Sequence, residues 1–188
     1  MGRRRFFLFA VVLASGALWG VGRSVADQTD QRLEDVFAQL RVAQSAEVAR
    51  PVEARIWAIW TEAGNPAADR LMIAGLVAMR AGQYHLALDT FGRLVEIAPD
   101  FAEGWNKRAT VLFLVGRYAD SVRDITKVLA LEPRHFGALS GLAMCEEQLG
   151  KDAEALQALE RAALIYPSMP GLTLRIKELR KRSEGQPI

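Results

Sequence analysis

From Ala68 onward, apolar residues fall at helical spacing in blocks of equal length. Leu71, Ala74, Gly75 and Ala78 make one stripe over Ala68–Arg80, and Ala87, Leu88, Phe91, Leu94 and Val95 make another over Tyr84–Ala98. Gly82 separates the two, as a glycine does where a helix ends in the left-handed conformation. Pro99 closes the second, because it lacks an N–H and pushes the preceding residue out of the helical region. The same pattern then recurs at one fixed interval: Gly82, Gly116 and Gly150; Pro99, Pro133 and Pro167; Leu71, Trp105 and Leu139; Phe91, Ile125 and Leu159. Small residues share the period (Gly75, Ala109, Ala143 and Ala87, Ser121, Ala155), and antiparallel packing would set each of the first three against its partner in the second. The pattern predicts three helical hairpins at 68–101, 102–135 and 136–169.

The flanks carry weaker versions of the pattern. Leu33, Val36, Phe37 and Leu40 have helical spacing, and Phe37, Leu40, Trp57 and Trp60 lie one full period before Leu71, Ala74, Phe91 and Leu94. Residues 30–65 therefore predict a degenerate N-terminal hairpin in register, its glycine slot taken by Val48, covering the exposed end of the array as terminal repeats do. Trp57 and Trp60 are expected in its core, with an exposed aromatic patch as the alternative. At the other end, 170–183 predicts a capping helix with Leu172, Ile176 and Leu179 inward and a basic face of Arg175, Lys177, Arg180, Lys181 and Arg182 toward solvent.

These residues resemble the tetratricopeptide repeat (TPR) family, with the second copy (Trp105, Ala109, Gly116, Tyr118, Ile125, Pro133) matching best at its start. Arg108, Glu146 and Asp152 depart from it, standing where the family has Leu, a large apolar residue and Tyr. The resemblance implies an all-α, right-handed helical-hairpin solenoid whose first helices line a concave groove. Carried over residue by residue, the groove slots include Met72, Leu76, Met79, Arg80, Asn106, Lys107, Thr110, Phe113, Met144 and Glu147, with Glu103, Ser140 and Gly141 beside them. Chaperone-binding members use Lys and Asn at set slots to clamp a C-terminal carboxylate; Met72 and Leu76 occupy those slots here, so the clamp is absent. The lining is apolar toward its N-terminal half, and flexible Met side chains suit an amphipathic helix or extended segment. Two occupants are expected for such a groove: a segment of another protein, or the divergent N-terminal helices or cap helix of the same molecule.

Residues 1–26 differ from the rest. Arg3, Arg4 and Arg5 precede the apolar run Phe6–Ala14, and Ser24-Val25-Ala26 offers small residues for cleavage, the layout of a secretory signal peptide. An uncleaved membrane anchor is the alternative. Without the four arginines of this segment, 20 basic residues face 22 acidic ones, a net charge of −2, so the basic balance of the whole chain gives no support to nucleic-acid binding. Exported TPR proteins of Gram-negative bacteria are similar over Glu53–Trp60 and Phe101–Val111, which implies a periplasmic location, or an inner-membrane anchor facing the periplasm.

Reactive chemistry is sparse. His85 and His135 stand at the starts of separate helices with no ligand-spaced partner, and both are expected at the surface. Cys145 is the only cysteine, expected as a structural thiol, and no Gly-rich phosphate loop is present. The sequence thus predicts a non-catalytic interaction module with no cofactor or metal. It reads as an exported adaptor holding an envelope protein segment, or as an anchored or self-assembling structural subunit.

Overall fold

The computed structural model describes residues 30–184, so the leader segment 1–26 lies outside the described residues. Among them are nine helices and no strand: α1 (Arg32–Val42), α2 (Ala46–Trp60), α3 (Pro66–Arg80), α4 (Tyr84–Ile97), α5 (Ala102–Leu114), α6 (Tyr118–Leu131), α7 (Phe136–Gln148), α8 (Asp152–Ile165) and α9 (Leu172–Glu184). None of these is long and apolar enough to cross a membrane.

Helices α3 to α8 form three hairpins, stacked so that each second helix packs on the next first helix. Gly82, Gly116 and Gly150 all have positive φ, between 71° and 76°. At each, the two hydrogen bonds of a Schellman motif form, as in Gly82 N–H to Met79 O at 3.1 Å and Gln83 N–H to Ala78 O at 2.9 Å. An L side chain at these positions would be strained, which is why the period is anchored there. Within the hairpins, Ser121 Oγ–H donates to Ala109 O at 2.8 Å, the pairing expected for those slots. Gly75 makes room for the ring of Phe91, whose Cε1 a Cβ there would overlap. Arg108 replaces an apolar contact between α5 and α6 with a bidentate ion pair to Asp124, both bonds 2.7 Å, and stacks on Trp105 at 4.7 Å. Helices α3, α5 and α7 lean against one another, which puts them on the inner side of the array.

Helix α9 packs on α8 with Leu172 and Leu179 buried in the core of the third repeat. Its basic face is partly engaged rather than solvated: Arg175 and Arg182 both bind Glu147, and Arg182 also binds Asp152.

The N-terminal hairpin is where the structure departs from the sequence pattern. Helices α1 and α2 pair as expected, but they do not cap the array on α3. They fold back toward its far end, α1 touching α8, and their core of Leu33, Val36, Phe37, Leu40, Ile56 and Trp60 includes Phe136 and Tyr166. Slot equivalences give the physical reason. In the stacked repeats, Leu94 packs on Gly104, close enough that a Cβ there would sit 3.3 Å away, and Ala138 in the matching slot is fully buried. The first repeat has Arg70 in that slot, and the side chain that would press on it is Trp60 instead of Leu94. Two bulky groups replace a small–medium pair, and overpacking of that kind is destabilising. The consequence is visible on α3: Val77 is 61% exposed, whereas its counterparts Val111 and Cys145 are fully buried under a preceding repeat, and Ile73 is also exposed.

Candidate functional site

The inner side of the array and the folded-back hairpin meet at the start of α7. His135 is the centre of this junction. It is fully buried, not at the surface as its place at a helix start suggests; His85, in contrast, is exposed. His135 Nδ1 accepts the Ala138 N–H at 3.0 Å, capping α7, so the ring proton sits on Nε2, which faces Glu103 Oε2 at 3.1 Å. Glu103 is itself buried and also holds Lys107 Nζ at 2.6 Å and the Asn106 side-chain amide at 2.8 Å. Burial by itself would raise the Glu103 pKa, but the His135 hydrogen bond and the Lys107 charge more than offset it, so the carboxyl is held below its ordinary range. The second and third repeats thereby supply a fixed, polar-anchored imidazole plate.

Helix α2 lies on that plate. Trp60 stacks on His135 with centroids 4.1 Å apart and planes 11° from parallel, and Trp57 meets His135 and Phe136 edge-on at 5.5 Å. Gly137 makes room for Trp57, since a Cβ there would lie 2.8 Å from Cη2. Lys107 Nζ lies 5.5 Å from the Trp57 ring centre. Glu53, one turn earlier, accepts from Trp57 Nε1 and from the Tyr166 hydroxyl, each at 3.2 Å. Burial, followed by the nearby Glu53 charge, pushes the Tyr166 phenol up to about 12, so it stays a donor. On the outer edge, Arg134 binds Glu34 at 2.7 Å and covers the Phe37 ring.

Between α2 and the array remains a cavity of about 290 Å³ with mainly apolar walls. Of the ten groove residues expected from the sequence, Asn106, Thr110, Phe113 and Met144 line it, with Ser140, Gly141 and Cys145 beside them. Cys145 Sγ–H donates to Ser121 Oγ at 3.2 Å, and burial raises its pKa, which disfavours the reactive thiolate. The other six are elsewhere or engaged. Met72 is buried and Leu76 half-buried beside a separate hollow near Thr61 and Glu62. Met79 is half-buried and Arg80 exposed at the end of α3. Lys107 is tied to Glu103, and Glu147 to the two arginines of α9.

Sequence reasoning misses Glu53, Trp57, His135 and Gly137 as parts of this site. Gly137 carries the readable signal: a glycine in the first turn of α7, where the other repeats have Asp69 and Glu103, marks a close approach. Among the described residues, no group of three or more His, Cys, Asp or Glu side chains is placed to hold a metal ion.

Comparison with known proteins agrees with the geometry. A family profile described as Tetratricopeptide repeat matches residues 74–122 and 107–170. A TPR repeat-containing protein of Rhizobium etli is 37% identical over 146 residues, which cover 78% of this chain and 72% of that protein. The Hsp70-Hsp90 organizing protein of Triticum aestivum is 28% identical over 120 residues, 64% of this chain but only 21% of the larger relative. In three dimensions, the first TPR of Spaghetti (RPAP3), bound to the HSP90 peptide SRMEEVD, superposes with a TM-score of 0.61 at 21% identity, covering 63% of this chain and 94% of that one. The Sgt2 TPR domain from Aspergillus fumigatus gives 0.60 at 19% identity, covering 66% and 87%.

Proposed function

The chain belongs to the tetratricopeptide repeat family, a family of protein-interaction modules, and from that premise we propose that it is a non-catalytic adaptor that holds a segment of an envelope protein in its concave groove. The observation that carries this reading is the cavity bounded by α2, α5 and α7. Phe113 and Met144 give it apolar walls, while Asn106, Thr110 and Ser140 supply the few polar groups that orient a bound segment. One structural neighbour is seen with an HSP90 peptide, but the apolar walls at Phe113 and Met144 favour an apolar or amphipathic segment here. The leader-like residues 1–26 support export, with a periplasmic site of action.

A photo-crosslinking side chain at Met144, in the full chain expressed in cells, tests the adaptor. The expected result is a defined protein adduct from Met144, with none from a control at Leu164 on α8, which is 75% exposed. Identical adducts from both positions would remove the groove from the account.

One observation favours a second reading, a self-assembling or membrane-anchored structural subunit. Ile73 and Val77 leave the first repeat with an exposed apolar end. Sedimentation across a concentration series separates the two: a constant monomer mass supports the adaptor, and a mass that grows with concentration supports assembly.

A further inference from the structure

Helix α2 is not stacked as a repeat; it is seated in the groove as a ligand would be. Its polar anchors on α5 and at the start of α7 are organised without it, while the Tyr166 hydroxyl is held by Glu53 of α2 itself. His135 is fixed by Glu103 and the Ala138 N–H, Lys107 by Glu103, and Gly137 belongs to α7. What α2 presents to them is compact: aromatic side chains at Trp57 and Trp60, which share one helix face, and the Glu53 carboxylate one turn earlier on Tyr166. Its connection to α3 is the short stretch Thr61–Asn65, in which Gly64 has φ +64°.

We infer that α2 is the chain's own stand-in for its partner. The corner formed by Lys107, His135, Phe136, Gly137 and Tyr166 takes an amphipathic helix with two aromatic residues three positions apart and a carboxylate four positions before the first. The α1–α2 hairpin is the lid that such a helix displaces. This inference rests on the groove reading above and adds the chemistry of the occupant.

The fit of α2 is good but incomplete. Trp60 Nε1 is buried without a hydrogen-bond partner, a defect that a partner with Phe in that position does not share. A lid with a built-in defect is displaceable, and its closed population sets the factor by which it weakens a competing ligand.

The test uses the full chain and a fluorescein-labelled peptide of residues 46–63, followed by anisotropy. In Trp57→Ala/Trp60→Ala, shown by circular dichroism to keep its repeats, the peptide should bind about tenfold tighter than in wild type, because the closed lid no longer competes. A peptide with Phe in place of Trp60 should bind tighter still. Adding Gly137→Val to the double variant should abolish binding, since its side chain fills the space of the first aromatic ring. No binding to the folded double variant, or binding indifferent to Gly137→Val, overturns the inference. Should the double variant not fold, Glu34→Arg loosens the lid at an exposed ion pair and keeps both tryptophans. It should raise peptide affinity in the same direction, and an unchanged affinity is equally fatal. If Met144 crosslinks a partner in cells while the opened groove ignores the peptide, the adaptor stands and the mimicry fails; if neither occurs, both fail.

Discussion

The α1–α2 hairpin and the α3–α4 hairpin share one repeat register, yet one joins the stack by its neighbours and the other folds across the groove. The difference lies in side-chain size at the contact slots. Gly104 and Ala138 admit the preceding repeat, and Arg70 does not. Phe91 fills the space over Gly75, whereas its counterpart Trp57 finds its matching glycine at Gly137, in the third repeat. Register therefore specifies which residues are equivalent, and volume specifies whether equivalent residues make equivalent contacts.

The sharpest way to break the comparison is to make the slots alike. Trp60→Leu/Arg70→Gly installs the stacked-repeat residues on both sides, and the expected outcome is a hairpin moved onto α3. Spin labels at Gln39 and Val77 should then draw together while Gln39 and Leu164 separate; an unchanged distance pair would show that slot volume is not the cause. Next in size, Trp60→Ala should cost about 3–5 kcal/mol, the range for truncating a buried aromatic. It should release the hairpin to protease before the repeats unfold, whereas Leu94→Ala should weaken the array itself. Gly137→Ala should cost about 1–3 kcal/mol by overpacking against Trp57, read as a lower urea midpoint for the hairpin.

Acid gives a fourth test. The Glu103 pKa is depressed in the folded chain, so its stabilisation is complete above the unfolded value of about 4.3 and is lost as pH falls through the folded value. Wild-type stability should decline over that acid window, and Glu103→Gln should flatten this part of the profile. Smallest of all, Glu34→Ala removes an ion pair whose carboxylate is 76% exposed and should cost less than about 1 kcal/mol in thermal melts.

What is legible in the sequence follows from the range of each interaction. The turns of the array are local: Gly82, Gly116 and Gly150 need left-handed backbone wherever the rest of the chain lies, so their spacing announces the hairpins. The position of α1–α2 depends on Trp60 against Arg70 and Trp57 against Gly137, pairs with no periodic signature. His135 is misread for the same reason. A histidine at a helix start looks exposed until a hairpin from the opposite end of the array covers it. Of the ten groove slots expected from the sequence, four line the cavity, and neither which four nor their state is legible beforehand. Only the folded chain shows Lys107 and Glu147 already held by ion pairs and Thr110 and Met144 open.

The folded-back hairpin also changes how the molecule comes together in time. A linear solenoid needs only neighbours, and each repeat can settle as soon as the previous one exists. Here Glu34 waits for Arg134, and Glu53 for Tyr166, contacts 100 and 113 residues apart. Among the described helices, α1 and α2 are made first and are therefore the last to find their place, and until the third repeat is complete Trp57 and Trp60 lack their contacts with His135 and Phe136. That interval is when the chain is most open to a chaperone, a protease or a partner helix.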